Sequence, residues 1–320
     1  FIGSNISEEL VKKGEKVRIL DNFSTGKREN IAGFENDIEL IEGDLRDLEI
    51  VERAMVGVDF VLHQGALPSV ERSIRDPLTT NRVNIQGTLN VLRAALRLGV
   101  KRVVYASSSS IYGDIPTCLT VGQALAVARA KHGQALAMGR ARHGQALPKK
   151  EGMKPFPQSP YAVTKLIGEE YCRMYYSIYE LETICIRYFN VFGPRQDPGS
   201  EYAAVIPKFI TLMMRGKSPP IYGDGEQSRD FTFIDNVVQA NIEACKARGA
   251  AGKVFNIACG KAVTINELVH KLNGIFQARI QPIYKGPRKG DIKHSLADIS
   301  QARKVLRYSP DITFDLGLNK

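Results

Sequence analysis

The chain reads as an α/β protein: a doubly wound parallel sheet followed by a smaller carboxyl-terminal α/β lobe. Three observations predict this. Short apolar runs alternate with stretches of helical spacing over residues 1–190. The runs are continuous rather than alternating with polar residues, as in strands covered on both faces. Beyond residue 190 Pro and Gly become denser, at Gly193, Pro194, Pro198, Pro219, Pro220, Gly223 and Gly225. There short strands mix with helices, and the cleft between the two lobes is the expected binding site.

The strands expected in the first part are Val17 to Leu20, Ile38 to Ile41, Phe60 to Leu62, Val103 to Ala106 and Thr183 to Arg187. Helical patterns precede or separate them, at Asn5 to Lys13, Glu49 to Met55, Ile85 to Leu98 and Ala162 to Tyr179. Strand–helix–strand repetition places ligands at the carboxyl ends of the strands. The domains expected are 1–190, holding a dinucleotide, and 191–320, mainly holding a substrate.

One segment breaks the rhythm. Gly122 to His132 and Gly133 to His143 are two copies of an 11-residue repeat, and a third G-Q-A-L opens at Gly144. Residues 118–146 read as an inserted, exposed repeat looped out from a compact domain.

Composition narrows the function. An apolar fraction of 43% and a charged fraction of 24% fit a globular protein without a membrane span or secretory signal. Cys118, Cys172, Cys185, Cys245 and Cys259 are scattered without C-x-x-C spacing, which argues against zinc or a disulfide framework and for a reducing cytosol. The net charge of +10 is spread along the chain and partly carried by the repeat, so it suits an anionic small substrate better than nucleic acid.

Phe1-Ile2-Gly3-Ser4 before a helical pattern reads as the tail of a G-x-x-G-x-x-G dinucleotide loop, whose strand and first glycines are expected ahead of residue 1. Asp21 ends the next strand, a placement suited to ribose hydroxyls and favouring NAD over its 2′-phosphorylated form. Asp44, in G-D-L-R-D, fits an adenine contact in the same way. Tyr161 and Lys165, in S-P-Y-A-V-T-K, are four apart and share one helical face. An ammonium near a phenol favours the phenolate, so Tyr161 is expected to have a lowered pKa and to act as a base. Ser107 to Ser110 end the strand before it, where a hydroxyl can relay a proton.

With these residues in view, the chain resembles the extended short-chain dehydrogenase/reductases, specifically the nucleotide-sugar 4-epimerase group. The match runs through L-D-N-F-S-T-G, G-D-L-R-D, H-Q-G-A-L-P-S-V, S-S-S-S-I-Y-G-D, S-P-Y-A-V-T-K, R-Y-F-N-V-F-G-P-R-Q, Y-G-D-G-E-Q-S-R-D-F and G-D-I-K-H-S-L-A-D. The resemblance implies a Rossmann-like fold and a catalytic set of Ser108, Tyr161 and Lys165. It implies NAD contacts from Phe1, Ile2, Asp21, Asn22, Asp44, Leu45, Gln64 and Tyr188, with Tyr161 and Lys165 also touching the cofactor. Ser109 and Ser110 would lie beside the sugar, Asn190 on the phosphates, and Arg229 and Arg288 on pyrophosphate or ribose. Asp291 and Val205 complete the substrate contacts. Related dehydratases carry Asp-Glu where Ser109-Ser110 stand, so two serines argue for epimerisation.

Ser295 matches the position that gates the sugar's 2-substituent. A small residue there admits an N-acetyl group, which favours UDP-GlcNAc/UDP-GalNAc over UDP-glucose/UDP-galactose. UDP-glucuronate epimerisation, another nucleotide-sugar reductase, dehydratase or decarboxylase, and a non-catalytic nucleotide-sugar-binding protein are the alternatives. A homodimer through the Ile85 and Ala162 helices is implied by the resemblance. The departures are the amino-terminal loop, the repeat and the early stop at Lys320; through them, NAD binding and activity are expected to be impaired.

Overall fold

The computed structural model describes residues 1–113, 147–199, 204–287 and 292–320. The repeat segment therefore lies outside the described residues, as do Cys118, Arg288 and Asp291.

The chain opens with α1 (Ile2–Lys12), β1 (Val17–Asp21), β2 (Ile38–Glu42), α2 (Leu48–Met55) and β3 (Phe60–His63). Short helices α3 (Val70–Arg75) and α4 (Pro77–Asn81) lead into α5 (Gly87–Arg97), β4 (Arg102–Ser108), α6 (Pro160–Tyr179) and β5 (Glu182–Tyr188). The expected strands are all present, each longer by one to three residues than its apolar run. Strand ends here are polar (Asp21, Glu42, His63, Ser108), so hydropathy alone stops short of them.

The helix expected over Ile85 to Leu98 is composite: Arg82–Gln86 makes a π-type turn before α5 begins at Gly87. Asn84 explains it. Its buried side chain accepts from Leu67 N at 2.8 Å and donates to Leu67 O and Thr164 Oγ1, bonds that hold a widened turn. Caps set other helix starts. Asp47 accepts from Glu49 N and Ile50 N ahead of α2, and Ser159 accepts from Ala162 N ahead of α6, with Pro160 at the first helical position. Each such cap is worth about 1 kcal/mol.

The parallel sheet is in two pieces. β1 pairs with β2. The other piece has the order β10-β5-β4-β3, where β10 (Lys253–Ile257) comes from the carboxyl-terminal part and pairs in parallel with β5. The chain thus returns to the large sheet after residue 190, bringing α8 (Ile234–Lys246) against α1. β4 and β5 form the buried centre. Alternation along them feeds two cores: Val104, Ala106, Ile184 and Ile186 face α8 and the smaller lobe, while Val103, Tyr105 and Cys185 face α2, α5 and α6.

The smaller lobe adds β6 (Val191–Phe192), α7 (Val205–Met214), β7 (Pro220–Tyr222), β8 (Ser228–Asp230), β9 (Thr232–Phe233), β11 (Ala262–Thr264), α9 (Ile265–Ile275), β12 (Ile283–Lys285), β13 (His294–Ser295) and α10 (Phe314–Leu318). Its strands are short, in the order β11-β8-β13, with β12-β7 and β6-β9 as separate pairs. A capping box between Thr264 and Glu267 starts α9. Among the described residues no helix is long and apolar enough to cross a membrane.

Candidate active site

The carboxyl ends of the parallel strands converge on one edge. β1 ends at Asp21, whose Oδ1 accepts from Phe23 N at 2.8 Å. Gly26 approaches so closely that a Cβ there would stand 3.1 Å from Asp21 Oδ2. Beyond β2, Asp44 accepts from Arg46 Nη2 at 2.7 Å and Asn22 Nδ2 at 2.8 Å. The Arg46 hydrogen bond, aided by Asn22, lowers the Asp44 carboxyl to about 2 against the opposing effect of burial. Leu45 is fixed through its carbonyl, which accepts from Asn90 Nδ2 at 2.8 Å. Beyond β3, Gln64 donates to Asn241 Oδ1 at 3.0 Å and accepts from Tyr188 Oη at 3.1 Å. Phe1 caps the start of α1, whose first residue is Ile2. These expected cofactor residues therefore share the strand-end edge.

Ser108 closes β4, and its Oγ accepts from Ser110 N at 3.1 Å. Tyr161 and Lys165 project from α6, both buried. Gly168 permits this packing: a Cβ there would collide with the Tyr105 hydroxyl, so any larger residue would push α6 off β4. A mid-helix glycine costs about 1 kcal/mol of helix propensity, offset here by the close approach. Lys165 Nζ donates to Ala106 O at 2.7 Å and stands 5.0 Å from the Tyr105 ring centroid and 6.0 Å from that of Tyr161. Burial brings the ammonium down to about 8, against the pull of neighbours including Glu169.

The expected lowering of Tyr161 is corrected by this structure. Burial pushes its phenol up to about 12, opposed by its hydrogen bond with Ser108. The reason is geometric: Lys165 directs its ammonium to the Ala106 carbonyl, and desolvation of the buried phenolate outweighs the Ser108 hydrogen bond.

A buried polar network lies behind these residues. Glu169 receives Ser107 Oγ, Arg187 Nε at 2.8 Å and Arg187 Nη2 at 2.7 Å. Arg187 Nη1 also donates to Tyr112 Oη at 2.8 Å, and Tyr112 Oη donates to Asn256 Oδ1 at 2.7 Å. The sequence reading missed this network, although a visible signal was an arginine inside the otherwise apolar T-I-C-I-R-Y. It also missed Asn241, which links Gln64 to Tyr188.

Toward the smaller lobe a cavity of about 460 Å³ is lined by Asn190, Val205, Tyr222, Gln227, Arg229 and Phe231, among others. Three of the expected substrate residues thus meet in one cavity. Ser295 is buried on β13 opposite Arg229 of β8, in register with it. Asn190 has φ 28, a left-handed conformation that strains a non-glycine residue, and its Nδ2 donates to the Asp230 carbonyl at 3.4 Å. Ser109 and Ser110 follow β4, and Ser110 Oγ is buried without a hydrogen-bond partner among the described residues.

A family model described as the NAD dependent epimerase/dehydratase family matches residues 1–258. The chain belongs to that family. Among relatives of the epimerase/dehydratase family, the UDP-glucose 4-epimerase of Mycolicibacterium smegmatis is 34% identical, over 100% of this chain and 94% of its own. The solved UDP-N-acetylglucosamine 4-epimerase of Methanobrevibacter ruminantium, in complex with UDP-N-acetylmuramic acid, is 38% identical with a TM-score of 0.87. It covers 100% of this chain, which spans 93% of that one. The UDP-glucose 4-epimerase of Thermus thermophilus in complex with NAD is 31% identical with a TM-score of 0.82, over 100% of this chain and 94% of its own.

Proposed function

We propose that this chain is a UDP-sugar 4-epimerase that works with NAD and prefers UDP-GlcNAc and UDP-GalNAc, accepting UDP-glucose and UDP-galactose as well. The observation that carries the reading is Ser108 at the end of β4 hydrogen-bonded to Tyr161, with Lys165 on the same face of α6, together with a cavity in the smaller lobe lined by Asn190 and Arg229.

The donor set suits NAD. Asp21 offers a carboxylate to ribose hydroxyls, Gly26 leaves its approach open, and the start of α1 suits a pyrophosphate. When bound, NAD supplies reversible hydride acceptance, which allows a carbon bearing a hydroxyl to change configuration by way of a ketone. The remaining work belongs to the chain. Tyr161, whose buried phenol the chain alone holds in its protonated form, would need added positive charge beside Lys165 to take the proton of the sugar's 4-hydroxyl, which it later returns. Ser108, hydrogen-bonded to Tyr161, holds the same sugar oxygen and relays the proton. Lys165 supplies positive charge on the same helix face. Arg229 offers paired donors to phosphate oxygens, and Asn190 a carboxamide. Arg288 and Asp291 belong to the same reading.

Ser295 supports the N-acetyl preference: it is a small side chain on β13 at the position that the resemblance gives to the gate for the sugar's 2-substituent. Exposed apolar side chains on α5 and α6 (Leu96, Val163, Met174, Ile178) support the homodimer reading. The described cysteines are free thiols, as suits a reducing cytosol.

The test is an NMR assay of the anomeric protons after incubating the protein with NAD and equal UDP-GlcNAc and UDP-glucose. Formation of UDP-GalNAc is expected. UDP-galactose alone would overturn the substrate preference, and release of NADH or carbon dioxide would overturn the epimerase reading.

A further inference from the structure

Arg229, Asp230 and Phe231 are consecutive, yet they face opposite ways. Arg229 and Phe231 line the cavity, whereas Asp230 turns its carboxylate away from it and is fully buried. That alternation follows from the period of an extended chain. A buried carboxylate is costly unless its oxygens are met. These are met by main-chain N–H groups from two separate segments: Oδ1 accepts from Cys259 N at 2.9 Å, and Oδ2 from Gly260 N at 3.0 Å and Ala297 N at 3.2 Å.

Each donor has a place in the site. Cys259 and Gly260 follow β10, a strand of the large sheet paired with β5, whose end carries Tyr188 and leads to Asn190. Ala297 follows β13, which carries Ser295 and pairs with β8 over only two residues. A ladder that short supplies few bonds of its own. The strand beside it is held at one end by Ser228 N to Lys293 O at 2.9 Å, and at the other by Asp230 together with the main chain of Lys149, which donates to Leu296 O at 2.8 Å and accepts from Asp298 N at 2.9 Å. Asn190 Nδ2 in turn donates to the Asp230 carbonyl at 3.4 Å.

We infer that Asp230 is a positioning residue for the nucleotide-sugar: its carboxylate fixes the Arg229 and Ser295 strands to the end of β10 and so presents Arg229, Ser295 and Asn190 to the ligand. Burial pushes the carboxyl up to about 7, against the main-chain N–H bonds that hold it down. The inference rests on the proposed UDP-sugar activity, and it adds a residue that touches neither substrate nor cofactor.

Asp230→Asn tests it, because an amide nitrogen must then face an N–H donor. Binding of UDP by calorimetry and steady-state epimerisation are measured on the wild type and D230N. The expected result is an approximately tenfold rise in UDP Kd and in KM for the UDP-sugar, with kcat at saturation within about twofold. A variant that merely lost folded protein would lower kcat and leave KM alone; that outcome, or unchanged Kd and KM, overturns the inference. Hydrogen–deuterium exchange on the wild type is the second measurement, independent of how well D230N folds. The amides of Cys259, Gly260 and Ala297 are expected to be protected without UDP. Rapid exchange there, with protection only after UDP is added, overturns the assignment. Absence of UDP binding by the wild type would overturn the proposed function itself, and the inference with it.

Discussion

Lys165 Nζ and the Ala106 carbonyl are joined by a 2.7 Å hydrogen bond, which ties the middle of α6 to β4 two residues before Ser108. The bond fixes where the ammonium stands relative to Tyr161, with burial bringing that ammonium down to about 8 and pushing the Tyr161 phenol up to about 12. Tyr161→Phe is expected to lower kcat by about 10²–10⁴-fold, the usual worth of a positioned acid–base group. Lys165→Met is expected to move the rising limb of the kcat/KM pH profile to higher pH, because the phenolate loses its nearest cation. A Lys165→Met profile that matches the wild type would remove Lys165 from the proton chemistry.

Ser295→Tyr is expected to close the space beside the sugar's 2-substituent. Turnover of UDP-GlcNAc should fall at least about tenfold while UDP-glucose is retained, a difference of kcat/KM ratios that steric exclusion can supply. Parallel loss with both sugars would mean that Ser295 does not gate this group.

His63 gives a pH dependence of stability. It is fully buried against Thr88, its Nε2 and the Thr88 hydroxyl 2.9 Å apart, and burial together with Lys165 lowers it from 6.5 to about 3. Below pH 6.5 the unfolded chain takes up this proton first, so the His63 contribution is intact above 6.5 and is lost as pH falls toward 3. At pH 5 the loss is about 2 kcal/mol relative to neutral pH. His63→Gln should flatten the fall measured by chemical denaturation between pH 6.5 and 5; an unchanged slope would assign the acid sensitivity to other groups.

Lys149 Nζ donates to the Gly113 carbonyl at 2.9 Å, and Phe156 N donates to Ile111 O at 2.9 Å. The two ends of segment 114–146 are thereby pinned together by the surrounding fold. Replacing residues 114–146 with a short Gly/Ser linker should leave the melting transition cooperative and raise stability by no more than about 2 kcal/mol, the loop-closure entropy recovered. Thermal denaturation of the excised variant checks this. A broad or much lower transition would show that the segment contributes to the core.

The sequence disclosed the parts of this molecule that repeat a local rule. Apolar runs located β1 to β5, even where Arg18 and Glu39 interrupt them, and the four-residue spacing located Tyr161 on the same face as Lys165. What it did not disclose depends on pairs far apart in the chain. Arg187 and Glu169 become partners only when β5 lies beside α6, and Asp230 meets Ala297 across the β8–β13 ladder. The direction of the Tyr161 shift was misread for the same reason: spacing reveals a neighbouring charge but not the desolvation that opposes it. The smaller lobe stayed coarse because its strands are two or three residues long and too short to show a period.

Apolar packing beneath the sheet has a consequence for how the cofactor edge is carried. Val51 and Met55 of α2 share one core with Val91, Leu92 and Val103, and Leu20 of β1 and Leu45 pack against it. Asn90 donates to the Leu45 carbonyl across the same contact. Asp21 and Ser108 therefore ride on strands that pack into a common core, and the adenosine end and the reacting end of a dinucleotide would be held by one cooperative body.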